Sequence, residues 1–537
     1  MTGAIAVRAR VPVGAGAKAA HFGDPLLEDL AHHGPLSTER FGLDWSDTAA
    51  LAALAEQKRA PLPAALAAEL LEYHQRLGAS ARSLESLDRL ARGQSVAVVA
   101  GQQPAPLGGP LYSLHKAAAA AGLSTEFTAR TGMPCVPLFW MHGEDSDFEE
   151  IHGALIADRA LTQRELALPA AMHREGGLVG ALATGPLEEL EREALAHWDG
   201  LPGVADVRAL LAGTHPRARD LGECMSALML ALFAEQGMVV VDPRLPAFRA
   251  AAREVIERYL DRADEFSAAA RRAGAWLESR IGRRALTDAA LDSFVFAVED
   301  GVRHKISAAE ARGAAHLALS PSVALRPVVQ DAVLPTVAMA CGPGEIAYLL
   351  QLREVFDGLA VRAACPVPRF AATWLPPAAV RLIEASGADA ADVVTSSDAV
   401  LHELAKRSVP GAPLEVLERA HREAIAGLER VSDASRTVDA SLPQMVESAR
   451  TKLDFQYQRL REGIVGKVRK KVEHQHPEWL RLRYYLLPGD KWQERRLASL
   501  EVAAYRGKSL GGEIADLAAD HARRLTGHVL EHFVVEL

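Results

Sequence analysis

From residue 48 to residue 92 the apolar positions recur at helical spacing (Leu51, Leu54, Leu66, Leu70, Leu71, Leu77, Leu84, Leu87 and Leu90), which predicts two or three helices. The pattern then changes. Residues 95–100 read SVAVVA, a short β-branched run that ends on Gly101-Gln102-Gln103-Pro104, and this predicts a buried strand entering a turn. Similar runs predict strands at residues 135–141, closing on His142-Gly143-Glu144-Asp145, and at residues 237–241, closing on Asp242-Pro243. A fourth lies at residues 335–341, closing on Gly342-Pro343-Gly344-Glu345, and residues 366–373 are a candidate fifth. Helical stretches at residues 111–130, 220–236, 246–280 and 346–356 separate them. Short apolar strands alternating with helices make an α/β protein with a parallel, doubly wound sheet covered on both faces. In such a sheet the polar residues at the carboxyl ends of the strands converge on one crevice, so these strand-end loops form the candidate site.

Past Pro376-Pro377 the strand signals stop, and from Pro413 onward the pattern is helical apart from a break near Pro488-Gly489. Val446, Ala449, Leu453, Tyr457, Leu460, Ile464, Val468 and Val472 follow an 11-residue repeat, which predicts nearly straight or slightly right-handed helix pairing. The expected division is a sheet-containing core over residues 1–377 and an α-helical coiled-coil arm over residues 378–537, whose apolar stripe is expected to pair with a second copy as a homodimer.

With 537 residues, 49% of them hydrophobic and 24% charged, the chain is neither disordered nor a disulfide scaffold. Its net charge of −9 argues against a non-specific nucleic-acid coat. The basic stretch over residues 451–475, with seven Lys/Arg against three Asp/Glu, is better explained as a solvated coiled-coil face. Cys135, Cys224, Cys341 and Cys365 form no Cys-x-x-Cys pair, and no run has signal-peptide or membrane-spanning character. A cytoplasmic protein without membrane partners or a metal centre is therefore expected.

Three strand-end loops could carry chemistry. After the first strand, Gln102 and Gln103 precede Gly108-Gly109 and a helix start, where free N–H groups could take an anion such as phosphate; a plain tight turn is the competing reading. After the second strand, residues 142–150 hold five carboxylates. Of these Glu144, Asp145 and Asp147 lie nearest the strand end and could hold an ammonium group or Mg²⁺ or act as a base, while a helix-capping role competes. After the fourth strand, Gly342 and Gly344 open a helix, and Glu345 could cap it or meet a ligand. Asp242 ends the third strand, and Lys491 with Arg495 could meet phosphate near the C-terminus.

Taken together these segments resemble the cysteine-adding enzymes of bacillithiol biosynthesis, also described as cysteine ligases. The matching residues are Gly101-Gln102-Gln103 through Gly109-Pro110-Leu111-Tyr112, Phe139-Trp140, Glu144-Asp145 and Asp147-Phe148-Glu149-Glu150-Ile151. They continue through Leu319-Ser320-Pro321, Leu325-Arg326-Pro327, Gln330-Asp331, residues 334–338, Gly342 to Tyr348 and Gln493-Glu494-Arg495, spanning nearly the whole chain. The resemblance implies a Rossmann-like core related to the catalytic domains of class I aminoacyl-tRNA synthetases, followed by a dimerising coiled coil. It implies that cysteine is joined through its carboxyl group to the amine of glucosaminyl-malate, with ATP as the expected activating substrate. The nucleotide phosphates would then lie by Gly108-Gly109 with His115 or Lys116 near them. The carboxylates from Glu144 to Asp147 would serve the cysteine ammonium or the acceptor amine. Three positions depart from the family pattern: Ser146 replaces a usual His, Cys341 interrupts a glycine string, and His115 stands where a Tyr is usual. The competing function is a nucleotide-binding coiled-coil scaffold that assists thiol synthesis by another protein.

Overall fold

A computed structural model describes residues 5–14, 24–313, 317–396, 405, 411–435, 438–439, 441–475 and 477–537. It divides into two compact units, one of Met1–Pro376 with Lys491–Leu537 and one of Pro377–Asp490.

The first unit is built on five parallel strands: β1 (Val96–Gln102), β2 (Cys135–Met141), β3 (Val239–Val241), β4 (Thr336–Cys341) and β5 (Cys365–Pro368). Their lateral order is β3-β2-β1-β4-β5. Every residue of the central strand β1 is buried, in keeping with a run that is apolar on both faces. The chain adds strands in one direction from β1 to β3 and in the other from β4 to β5. The reversal between β1 and β4 is where such sheets bind ligands. Register brings the strand ends level: Gln102 lies opposite Met141, Trp140 opposite Val241 and Cys341 opposite Pro368.

The helix Leu111–Thr131 follows β1 and lies between the sheet and the helix Leu510–Leu525. Its alanine-rich run, Ala117 to Ala121, is buried throughout. The two helices cross at Gly122, where a Cβ would sit 2.4 Å from the carbonyl carbon of Ala518. Small side chains are thus what allow one helix to be packed on two sides.

Residues 366–373, expected as one strand, are two. β5 ends at Pro368, the Arg369 N–H turns to the Cys341 carbonyl, and Ala372–Leu375 joins a different sheet. That sheet has the order Ala6–Pro12, Glu531–Glu536, Ala372–Leu375. Its middle strand comes from the end of the chain, and Phe533, Val534 and Val535 are fully buried. The segment after Asp490 therefore packs with the sheet unit, whereas an arm running to residue 537 was expected. Three buried apolar side chains contribute roughly 1.5–3 kcal/mol each, which explains the return.

An insertion between β3 and β4 carries the antiparallel strands Val295–Glu299, Val302–Lys305 and Ala318–Pro321.

The second unit is helical. Gly411–Ser435 pairs with Leu442–Gln475, and Leu414, Ile464, Val465 and Val468 pack together between them. His421 lies 4.6 Å from the Tyr457 ring, and its Nε2 is 2.6 Å from Asp454 Oδ1. One member of the 11-residue stripe, Leu460, is 57% exposed, and Phe455 beside it is 61% exposed. No helix among the described residues is long and apolar enough to cross a membrane.

Candidate active site

At the reversal between β1 and β4, Lys116 reaches from the second turn of its helix into the strand ends. Its Nζ donates to the Gly101 carbonyl (2.9 Å), Gln102 Oε1 (3.0 Å) and Glu345 Oε1 (3.1 Å). Glu345 Oε2 accepts from the Gly342 N–H (2.7 Å), which closes a capping box on the helix Pro343–Leu349. Gln102 Nε2 donates to Gln103 Oε1 (3.0 Å) and to the Tyr112 hydroxyl (3.1 Å), and Gln103 Nε2 donates to Glu150 (3.0 Å). Six side chains from four segments thus form one polar floor. Lys116, Gln102 and Gln103 are each less than 10% exposed, and such buried groups are kept when they are hydrogen-bonded.

The Gly108-Gly109 loop is different from expectation. Both glycines are buried with φ of 78° and 72°, and the returning chain seals them. Ser499 N–H donates to the Gly109 carbonyl (2.8 Å), Ser499 Oγ to the Pro110 carbonyl (3.1 Å), and Leu111 N–H to the Leu497 carbonyl (2.8 Å). The loop is a packing surface for residues 497–499.

His115 is likewise internal. Its side chain has no exposed surface, Nε2 accepts from Trp374 Nε1 (2.9 Å), and Nδ1 faces Glu494 Oε2 (3.0 Å). Burial pushes the imidazole below its ordinary value, so it is neutral and donates from Nδ1. Arg369 completes the group, binding Glu494 at 2.9 and 2.5 Å. Burial alone would push the Glu494 carboxyl up, but Arg369 and His115 hold it well below the carboxylate range. Gln493 clasps the backbone of Trp374 through two hydrogen bonds, of 2.8 and 3.0 Å. The Gln493-Glu494-Arg495 segment therefore locks the returning chain to the sheet unit and leaves Arg495 exposed near Tyr112. Lys491 is exposed, at the start of the same segment.

The acidic loop after β2 separates into roles. Glu144 is buried, with Oε1 accepting from Arg249 Nη2 (2.7 Å) and Nε (3.0 Å) and Oε2 from Ser320 Oγ (2.8 Å). Burial nevertheless pushes its carboxyl up. It ties the insertion to the sheet. Asp147 is exposed and caps the short helix Phe148–Ile151 through the Glu150 N–H (3.0 Å). Asp145 uses Oδ1 for the N–H groups of Ser146 and Asp147, and its charge faces Arg303. Asp242 at the end of β3 is 2% exposed and, with Asp220, clamps Arg244. Gly143, Gly180 and Gly222 surround that guanidinium, and a Cβ on any of them would lie within 3 Å of an atom there. Asp242 is thus spent on the fold. Gly344 is exposed with nothing within 4 Å of a Cβ, while the Gly342 N–H is already taken by Glu345.

Burial pushes the Cys341 thiol well above its ordinary value, which leaves it a small buried residue and no nucleophile.

Cavities of about 410 and 570 Å³ lie at the other end of the sheet, beside the starts of β4 and β5. Volume and chemistry thus point to opposite ends. At the cavity end Asp331 is satisfied by Thr336 Oγ1 (2.6 Å), Gln330 Nε2 (3.1 Å) and the Ala364 N–H (2.7 Å), and Lys58 by the Asp331 carbonyl (3.1 Å). The strand-end crevice carries His142, Arg326 and Arg495, which lack a carboxylate partner among the described residues. By topology and chemistry it is the better site.

A parallel sheet of this order, with its polar crevice at the reversal and a separate helical-hairpin unit, defines a Rossmann-like protein with an appended coiled coil. Residues 21–317 and 310–370 match the family description "Bacillithiol biosynthesis BshC, N-terminal Rossmann-like domain", and residues 372–523 match its "C-terminal coiled-coil domain". The chain belongs to the BshC family. Relatives named "Putative cysteine ligase BshC" include those of Koribacter versatilis (29% identical over 496 residues, 88% of this chain and 89% of the relative) and Salinibacter ruber (28% over 514 residues, 90% and 91%). That of Halalkalibacterium halodurans is 27% identical over 468 residues, covering 80% and 84%.

Proposed function

We propose that this protein joins cysteine, through its carboxyl group, to the amine of glucosaminyl-malate, with ATP as the activating substrate. What carries the reading is the polar floor of Gln102, Gln103, Lys116 and Glu345 at the sheet reversal, in a chain whose relatives bear the name cysteine ligase. Amide formation from a free carboxylate needs an activated acyl group, either an acyl phosphate or an acyl-adenylate. Attack by an amine then needs a proton acceptor and fixed dipoles near the carbonyl oxygen.

Of the three acidic candidates, Asp145 is the one suited to the cysteine ammonium, because Glu144 is spent on Arg249 and Ser320 and Asp147 on its cap. Arg495, exposed and without an ion pair among the described residues, is the group suited to phosphate; Mg²⁺ would come with the nucleotide. The exposed Phe455 and Leu460 in the helical unit support pairing with a second copy, since an apolar stripe of this kind is poorly tolerated in water.

The test is to incubate the purified protein with ATP, cysteine and glucosaminyl-malate and seek the amide by mass spectrometry. ATP-dependent product supports the reading. A folded protein that turns over no acceptor would retire it in favour of a scaffold role.

A further inference from the structure

His142 is the first residue after β2, and its N–H donates to the Gln102 carbonyl (2.9 Å), which fixes it beside the end of β1. The ring lies over Gly101: a Cβ built there would be 2.7 Å from His142 Nε2. Gly101 is also the residue whose carbonyl Lys116 holds, so the imidazole and the polar floor share one strand end. Buried histidines elsewhere in the sheet unit are used on their ring nitrogens: His74 by the Leu70 carbonyl and the Val240 N–H, His115 by Glu494 and Trp374, His521 by the Pro368 carbonyl. Neither nitrogen of His142 has a hydrogen-bond partner among the described residues. A half-buried imidazole without a partner in a polar crevice is open to a substrate.

The charged groups that face it are cations from three elements: Lys116 from the helix after β1, Arg303 from the strand Val302–Lys305 and Arg326 from the helix Arg326–Val333. Glu345 offsets Lys116, and Asp145 and Glu144 offset Arg303. Among the described residues Arg326 bonds the Tyr348 hydroxyl and has no carboxylate partner, and it repels Arg303. Three like charges facing one neutral ring, one of them without a carboxylate among the described residues, are the arrangement an anionic ligand completes.

We propose that His142 takes the proton from the attacking amine and that Arg326 holds a carboxylate of the same acceptor molecule. The inference rests on the ligase reading above. In the step, the acceptor ammonium first gives one proton to solvent; the freed nitrogen lone pair then forms the C–N bond at the activated acyl carbon, and as it does so a second N–H proton passes to His142 Nε2. The C–O bond to the phosphate or adenylate leaving group breaks with its electron pair going to oxygen, and His142 returns its proton to solvent. Burial and the three cations keep the free imidazole deprotonated. An acceptor carboxylate beside Arg326 weakens that field, so the ring gains basicity once the anionic acceptor is bound.

Two measurements test this. With the full-length protein, the pH profile of kcat for amide synthesis is compared between wild type, His142→Asn and His142→Gln, with cysteine affinity read by calorimetry and folding by melting temperature. Both variants are expected to lose about 100-fold in kcat and the acidic limb of the profile, with cysteine affinity kept within about threefold. In the second measurement, glucosyl-malate, which carries the carboxylates but no amine, is titrated in buffers of different ionisation enthalpy near pH 6. Wild type should take up a proton on binding it, His142→Asn should not, and Arg326→Met should bind it at least about tenfold more weakly. A folded His142 variant with kcat within about threefold of wild type, or with the acidic limb retained, overturns the role of His142. Unchanged glucosyl-malate affinity in Arg326→Met overturns the carboxylate subsite. A wild type that binds glucosyl-malate with proton uptake yet makes no amide overturns the ligase reading and the proton-transfer role with it, leaving the subsite standing.

Discussion

Replacing Glu494 by Gln removes one charge from the group that anchors the last segment of the chain, and it preserves side-chain shape. In the native protein Glu494 meets Arg369 at 2.5 and 2.9 Å and His115 at 3.0 Å, with the Arg369 and Glu494 side chains 9% and 11% exposed. At that exposure solvent screens little. Removing one partner of a buried pair costs about 3–5 kcal/mol, because the other charge is left behind, and the Gln amide recovers part of the hydrogen bonding. A loss near ~3 kcal/mol is therefore expected at pH 7. The pH dependence follows from the lowered Glu494 carboxyl. Its contribution is complete above the unfolded value of 4.5 and is lost as pH falls through the folded one, so the gap between wild type and variant narrows below pH 4.5. Urea unfolding followed by tryptophan emission suits the question, since Trp374 donates directly to His115. Glu165→Gln is the control, breaking the solvent-exposed Arg496–Glu165 pair, with side chains 36% and 57% exposed. It should cost below about 1 kcal/mol. If Glu494→Gln costs no more than this control, or if the gap is independent of pH, the anchoring role is refuted.

Removing residues 491–537 should destroy the folded sheet unit, because it takes away Phe533, Val534, Val535 and the Glu494 group together; loss of near-ultraviolet circular dichroism would show it. Gly122→Val should destabilise by at least about 1–3 kcal/mol in denaturant melts, since even the first carbon of the new side chain meets Ala518 backbone at 2.4 Å. Lys116→Met should lower amide synthesis by at least about 100-fold while the protein stays folded, because it dissolves the floor that links β1 to the Pro343–Leu349 helix. Phe455→Glu with Leu460→Glu should shift the sedimentation coefficient from dimer to monomer, as both side chains are more than half exposed in the single chain.

Four of the five core strands could be read from the sequence because each is a short apolar run closed by a turn containing Gly, Pro or Asp, whereas β5 was merged with Ala372–Leu375 of the neighbouring sheet. The strands of the insertion and Glu531–Glu536 could not: Arg303, His304 and Lys305 make Val302–Lys305 look like surface, and Glu531, His532 and Glu536 do the same for EHFVVE. Gln102, Gln103 and Glu345 were legible as strand-end residues and Lys116 only through the family resemblance, and the structure brings them together. The roles of Gly108-Gly109, His115 and Asp242 were not. Local spacing does not reveal that residues 497–499 return to cover the glycines, that Trp374 and Glu494 claim both nitrogens of His115, or that Arg244 claims Asp242. Arg303 and Arg369 carried no signal of their own, and Arg326 appeared only within the Leu325-Arg326-Pro327 match, because the three come from segments far apart in the chain. His142 was legible only by its place directly after β2, where the neighbouring run of carboxylates drew the attention.

Whether the ligase chemistry belongs to the crevice between β1 and β4 is tested most directly by a crystal structure grown with cysteine and a non-hydrolysable ATP analogue. Density for cysteine at that crevice, with its ammonium within hydrogen-bond reach of Asp145 and its carboxylate near the Lys116 floor, is the expected result. Cysteine seated instead in the 410 Å³ cavity near Asp331, with the crevice empty, would contradict it.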